Sequence, residues 1–245
     1  MRQPEAVAEF EDTRRGLIGT VQHLLHVNPS LVPLIVLIAS IIIFGILLGT
    51  KFFSPFALTL ILQQVQIVGI VAAAQSLVIL TAGIDLSVGA IMVMSSVVMG
   101  QFTFRYGIPV EVSVACGLLC GTLIGFLNGW LVARVKLPPF IVTLGMWQIV
   151  LATNFLYSAN ETIRSQEIEA EAPLLQFFGN TIQLGSARLT FGVVFMLALV
   201  FVLAYALKHT AWGRHVYAVG DDPEAAELAG VNVKGTLISV YVLSG

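Results

Sequence analysis

The chain has 245 residues, 57% of them hydrophobic and only 11% charged, with 12 Lys and Arg against 14 Asp and Glu. Soluble domains usually carry about 25% charged residues, so an ordinary soluble globule and a disordered chain are both excluded. A net charge of −2 offers no basic patch, which argues against nucleic acid as a partner.

The charges are clustered and leave six long charge-free runs, at 16–50, 52–84, 86–104, 112–133, 137–160 and 189–207. These runs hold 35, 33, 19, 22, 24 and 19 residues, and a membrane-spanning helix needs roughly 20 apolar ones. They lack period-two alternation, which argues against a β-barrel. Helices also satisfy their backbone hydrogen bonds within each segment, as hydrocarbon requires. The sequence therefore predicts an all-α, polytopic transmembrane helix bundle embedded in a lipid bilayer. Spans are expected near 31–49, 58–81, 86–103, 112–133, 139–158 and 189–207, with a seventh helix starting near Leu237. Residues 1–30 form a polar N-terminal segment and 31–245 the membrane domain. The first apolar run is too long for the core of a secretory signal and reads as a retained span.

Basic residues favour the cytoplasmic side of a membrane. With the N-terminus inside, the inside segments hold Arg2, Arg14, Arg15, Arg134, Lys136, Lys208, Arg214 and Lys234. The outside segments hold only Lys51, Arg105, Arg164 and Arg188, together with Glu111, Glu161, Glu167, Glu169 and Glu171. A cytoplasmic N-terminus is the expectation. The longest outside segment, 159–188, is polar and acidic; it reads as a solvated connection, a surface for a partner or a cover over a pore.

The second span carries Gln63, Gln64, Gln66 and Gln75. Amides are costly in hydrocarbon unless bonded, and Gln64 and Gln75, three turns apart, share one face. Thr143, Gln148, Thr153 and Asn154 add similar groups to the fifth span. Gln64, Gln75, Asn128, Gln148 and Asn154 are candidate pathway residues, because a neutral, sugar-like substrate needs such donors and acceptors. Bonding between helices explains them equally well.

Thr81-Ala-Gly-Ile-Asp-Leu-Ser-Val-Gly89 joins the second and third spans. Asp85 is the only acid between Asp12 and Glu111, placed where free N–H groups and the helix dipole stabilise an anion. It reads as a helix cap that fixes the turn, and an acid at membrane depth is also a functional candidate. Gly83 suits the tight turn before it. In the fourth span Gly117, Gly121, Gly125 and Gly129 recur every four residues on one face, where small residues let another helix approach closely. Asn128 beside them reads as interhelical glue, and Cys116 and Cys120 as packing rather than a disulfide or metal site.

Between the last two helices, Asp222 suits an N-cap, Pro223 the first helical position and Glu224 the positive end of a helix dipole. Ala225, Ala226, Glu227, Leu228 and Ala229 are good helix formers, and Gly230 is a natural C′ residue. So a two-turn helix is expected inside the loop 208–236, bracketed upstream by Gly213 and Gly220. It is too short to persist alone in water and needs support from its own spans or from a partner. No nucleotide-cradling GxxxxGK[ST] loop, HExxH, GxSxG or His/Cys ligand set occurs, so no metal site and no catalysis are expected. His23, His26, His209 and His215 lie in polar flanks.

Three segments resemble a known family. Leu80-Thr-Ala-Gly-Ile-Asp-Leu-Ser-Val-Gly89 resembles the hallmark of permease subunits of ribose/xylose-type bacterial ABC monosaccharide importers. Asn128-Gly-Trp-Leu-Val-Ala-Arg-Val-Lys-Leu-Pro-Pro-Phe-Ile-Val-Thr-Leu-Gly145 does so too, and Gly213 to Val231 resembles that family's cytoplasmic coupling loop. The resemblance implies a multi-pass subunit of the inner membrane that pairs with a second permease copy. A separate cytoplasmic ATP-binding subunit would carry ATP and Mg, and this chain no cofactor. A periplasmic sugar-binding protein would deliver a pentose or hexose. Asp222 to Gly230 would be the coupling helix, and Gly83, Asp85, Ser87 and Gly89 would form the family's turn. Two features depart from the pattern: such permeases continue for about three more spans, to a bundle of about ten helices, so the sequence is either a fragment or unusually short, and Ala82 stands where glycine is expected in many relatives. An ion-coupled transporter or channel using Asp85 is the alternative, and a non-transporting membrane scaffold a third.

Overall fold

The computed structural model of the chain describes residues 31–245 except Ser186, together with Leu25 and Asn28. Expectations for the rest of segment 1–30, including Arg2, Arg14, Arg15, His23 and His26, lie outside the described residues. The chain divides into two units, up to Leu58 and from Thr59 to Gly245.

In the first unit, α1 (Leu31–Leu48) is apolar on every side, the pattern of a helix surrounded by hydrocarbon. Its one hydroxyl, Ser40, donates to Val36 O at 2.8 Å and so is not left bare in an apolar setting. A 3-10 turn, Gly49–Lys51, follows, with the Phe44 and Phe52 rings stacked at 6.0 Å. Ser54 Oγ then accepts from Ala57 N at 3.2 Å, where α2 (Pro55–Leu80) begins.

The second unit contains the remainder of α2, α3 (Val88–Phe104), α4 (Val110–Ala133), α5 (Pro139–Ser158) and α6 (Ser165–Glu171). A 3-10 segment, Pro173–Gly179, leads into an antiparallel hairpin of β1 (Thr181–Leu184) and β2 (Ala187–Thr190). Then come α7 (Phe191–His209), α8 (Ala211–Asp221), α9 (Pro223–Leu228) and α10 (Val233–Ser244). The all-α bundle is borne out, with one small hairpin that sequence periodicity did not announce. Among the described residues, five helices are long and apolar enough to cross a membrane: Leu31–Lys51, Pro55–Leu80, Val110–Ala133, Pro139–Ser158 and Phe191–His209. The third expected span is shorter, 17 residues in α3, because Leu86 and Ser87 belong to the turn before it. The final helix starts at Val233 rather than near Leu237, since Asn232 caps it by accepting from Gly235 N at 2.9 Å.

The segment 159–188 is folded. Phe177 stacks on Phe191 at 5.0 Å and Phe178 packs on Phe195 at 5.0 Å, which holds the 3-10 segment on the start of α7. Two of the second-span glutamines pin β2: Gln63 Nε2 donates to Arg188 O at 3.3 Å, and Gln66 Oε1 accepts from Thr190 Oγ1 at 2.5 Å. These two amides therefore bond between elements.

The centre of the bundle is the crossing of α4 with α10, its most extensive helix pair, with α3 against α4 next. All four ladder glycines are buried. A Cβ on Gly125 would strike Tyr241 O and lie 3.2 Å from Gly245 Cα; one on Gly129 would lie 2.9 Å from Ile238 Cα. Obstruction by backbone cannot be relieved by a rotamer change. At Gly117 the obstruction is mainly the flexible Met99 side chain. Cys116 and Cys120 are free thiols.

Gly125→Ala is therefore expected to lower the thermal unfolding midpoint in detergent, with a cost of about 1–3 kcal/mol from overpacking. Gly89, on α3, has nothing within 4 Å of a built Cβ. Gly89→Ala should be neutral or stabilising by about 0.5 kcal/mol. Equal midpoints for the two variants would contradict the close helix crossing.

Candidate functional site

The turn between α2 and α3 is built by the backbone first. Ala82 N donates to Ile79 O at 2.9 Å and Gly83 N to Val78 O at 3.0 Å, the paired bonds of a Schellman helix stop. That motif needs a left-handed residue at its C′ position, and this is Ala82, with φ 56°. The departure from glycine at 82 thus sits at the one position of the turn where glycine has a conformational advantage. Gly83 has a different reason for being glycine: a Cβ there would lie 3.0 Å from both Tyr241 Oη and Val78 Cγ1.

Asp85 is 4% exposed. Its Oδ1 accepts from Ser87 N at 2.7 Å and from Ser87 Oγ at 2.6 Å. Ser87 Oγ accepts in turn from Asn128 Nδ2 at 2.8 Å. Thr143 Oγ1, near the start of α5, donates to Ile84 O at 3.1 Å. A buried polar knot therefore joins the turn to α4 and α5. The N-cap position of α3 belongs to Ser87, not to Asp85. The reason is local: an aspartate readily closes a ring onto the N–H two residues on, so its carboxylate engages Ser87 rather than the first turn of the helix. Asn128 is glue, as its place beside the ladder suggested; its Oδ1 is buried without a partner.

The region after α7 is stiffer than a loop. Gly213 and Gly220, which bracket the approach to α9 in the sequence, both lie inside α8, where they meet other backbone. A Cβ on Gly213 would strike Leu207, and one on Gly220 would strike Leu80 O, at the end of α2. Thr210 caps α8 by accepting from Gly213 N at 3.1 Å. One face of α8 buries Val216 and Val219, while Arg214 and His215 are exposed. Val216 joins Leu77, Val78, Val240 and Tyr241 in a single apolar core, and Trp212 Nε1 donates to Ser239 Oγ on α10 at 2.9 Å. No helix is expected at α8 from the sequence.

The short helix α9 forms where its residues predicted. Asp222 Oδ1 accepts from Glu224 N at 2.9 Å and Ala225 N at 3.0 Å. At the other end Gly230, with φ 84°, closes a second Schellman stop through Gly230 N to Glu227 O and Val231 N to Ala226 O, both 3.0 Å. Ala226 is buried, whereas Pro223, Glu224, Ala225, Glu227 and Ala229 are exposed, and Leu228 is 90% exposed.

The five candidate pathway residues differ in burial. Asn128 belongs to the knot, Gln64 and Gln148 are exposed on their helices, Gln75 is half-buried and Asn154 buried. Gln75 Oε1 and Asn154 Oδ1 are buried without partners. Among the described residues no cluster of His, Cys, Asp or Glu could hold a metal.

Five helices long and apolar enough to cross a membrane, among the described residues, define a multi-pass membrane protein. The chain belongs to the family described as branched-chain amino acid transport system / permease component, whose model matches residues 57–245. That match contains all three motifs on which the permease resemblance rests. The chain is similar to the fructose import permease protein FrcC of Rhizobium meliloti, 68% identical over 239 residues, covering 98% of this chain and 66% of that protein. The ribose import permease protein RbsC of Escherichia coli strain K12 is 36% identical over 88% of this chain and 64% of its own length. RbsC of Bacillus subtilis is 34% identical over 93% of this chain and 69% of its own length. The chain thus spans about two thirds of these curated relatives. No solved structure matches it.

Two substitutions separate the parts of the turn. Ala82→Gly relieves a left-handed alanine and should stabilise by about 1 kcal/mol, read as a raised thermal midpoint in detergent. Ser87→Ala removes one of the two bonds to Asp85 and the acceptor for Asn128, and should cost about 2–3 kcal/mol. Asp85→Asn keeps an acceptor for Ser87 and should cost less than Ser87→Ala.

Proposed function

We propose that this chain is the permease subunit of an ATP-driven importer that carries a monosaccharide into the bacterial cytoplasm. The observation that carries the proposal is α9: a helix capped at both ends, projecting Leu228 at 90% exposure, fixed by α8 to the end of α2. A large apolar side chain held out on a rigid mount is what a partner can grip. Names among the relatives, fructose and ribose import permeases, support a sugar as cargo, with fructose the first to test.

In this reading Asp222 to Gly230 sits in a cleft of a cytoplasmic ATP-binding subunit, which holds ATP and Mg and does the hydrolysis. A periplasmic sugar-binding protein delivers the substrate, and a second permease copy completes the path. The protein lies in the inner membrane with its N-terminus in the cytoplasm, and segment 159–188 faces the periplasm. Movement of the partner would reach the bundle through α8, whose Gly220 rests on Leu80. That path ends at the turn containing Asp85. The ion-coupled alternative asks Asp85 to exchange a proton or cation. Its burial and its two bonds from Ser87 favour a structural role instead.

Glu224→Lys combined with Leu228→Asp changes only exposed positions, so the protein should reach the membrane with an unfolding midpoint close to that of the parent. Co-purification of the ATP-binding subunit and ATP-dependent uptake of labelled fructose should each fall at least tenfold, a change of about 1.4 kcal/mol or more. Normal co-purification and uptake would overturn the coupling role. Uptake lost under an ionophore but retained under ATP depletion would favour the ion-coupled transporter.

A further inference from the structure

Helix α5 is 20 residues long and apolar enough to cross a membrane. Its inner face buries Val142, Thr143, Val150 and Asn154 and packs on α3 and α4. With about 3.6 residues per turn, the line opposite that face runs through Ile141, Gly145, Gln148, Ala152 and Phe155, and all five are exposed. Four of them sit easily in hydrocarbon, and Gln148 does not. It is the tenth residue of the helix, about 14 Å from either end at roughly 1.5 Å per residue, so its amide stands near the middle of the apolar layer. Its side chain has no hydrogen-bond partner among the described residues. An amide in hydrocarbon is costly unless bonded, and polar groups within spans face protein or water rather than lipid.

The spacing indicates what covers this face. Steps of four, three, four and three residues are those of the seam between two parallel helices wound around each other. One polar residue in such a seam fixes its register and the number of helices. A primary amide carries both donor and acceptor, so Gln148 is complementary to a second Gln148 across a two-fold axis. Two copies in one membrane share an orientation, so an axis along the membrane normal makes their α5 helices parallel. The seam residues one turn to either side, Gly145 and Ala152, are small and let two backbones approach. A Cβ on Gly145 would meet nothing within 4 Å, unlike the ladder glycines of α4, which already have neighbours. Gln64 is exposed on α2 as well, but Leu60, Ile61, Ile67 and Val68 stand one turn from it and keep a second backbone away.

We propose that two copies of this chain pair through the outward face of α5, with Gln148 bonded to its counterpart at the centre of the contact. The inference deepens the transport reading, on which the expectation of a second copy rests, by naming the face that pairs. Thr143, on the inner face of the same helix, donates to Ile84 O, so α5 ties the contact between copies to the α2–α3 turn.

The first test is disulfide cross-linking in membranes, with Cys116 and Cys120 replaced by alanine. Gly145→Cys and Gln148→Cys should each yield a covalent dimer on mild oxidation. Phe201→Cys, on α7 and 74% exposed, should not. The second test is sedimentation equilibrium in detergent. Gln148→Leu should weaken dimerisation about tenfold, the size of the lost interhelical hydrogen bonds, and Gln148→Asn should retain part of the affinity. Because Gln148 bonds nothing in its own chain, Gln148→Leu should hold or raise the thermal midpoint of the monomer. A lowered midpoint with unchanged dimer affinity is the result expected of an amide bonded elsewhere within its own chain, and it overturns the proposal. Cross-linking through Phe201→Cys and not through α5 overturns it too. Absence of the α5 cross-link alongside normal ATP-dependent sugar uptake overturns the pairing face and leaves the transport reading intact. A dimer cross-linked through α5 in a protein without ATP-dependent sugar uptake overturns the transport reading and leaves the pairing face standing.

Discussion

The close crossing of α4 and α10 is the contact on which the rest of the bundle depends. In lipid, apolar side chains gain nothing by leaving one environment for another of equal polarity, so helices associate through dense packing and buried polar bonds. Gly121, Gly125 and Gly129 bring α4 within backbone contact of Ile238, Tyr241 and Gly245. That approach sets Tyr241 against Gly83 and completes the core with Leu77, Val78 and Val216. The same helix carries Asn128 to Ser87. One crossing thereby positions both the apolar core and the polar knot.

The knot and the core do different work. The core gathers the ends of α2, α8 and α10, with dispersion and close fit as its main energy. The knot is directional: Ser87 N and Oγ donate to Asp85 Oδ1 and Asn128 Nδ2 donates to Ser87 Oγ, which ties the turn to α4 in one register. Together they make the α2–α3 turn a fixed point. Gly220 rests on Leu80 beside it, so a displacement of α8 meets that turn without an intervening flexible side chain.

Much of the local structure was legible. The span positions followed from charge-free runs, because a missing charge over about 20 residues has few explanations other than hydrocarbon. The caps of α9 were legible because Asp222, Pro223 and Gly230 act on backbone within a few residues of themselves. Helix α8 was not, since Gly213 and Gly220 break helices by propensity and are retained here for closeness to Leu207 and Leu80. Ser87 rather than Asp85 stands at the N-cap of α3 because the Asp85 carboxylate closes onto Ser87 N and Oγ; that Asn128, 41 residues along the chain, donates to the same Oγ has no local signal. The glutamines of the second span gave no sequence sign of which would bond a hairpin that periodicity did not announce.

The sequence by itself determined the class of protein, the number and place of its apolar helices, the face of α4 that must be approached closely, and the ends of α9. These are consequences of composition, of period and of short-range hydrogen bonding. Only the tertiary structure decided which helix fills the glycine face, where the carboxylate of Asp85 points, and that Gln101 meets Glu161 across 60 residues. Those outcomes depend on contacts between segments distant in the chain, and in a membrane such contacts are selected by fit and by paired polar groups, neither of which has a local signature.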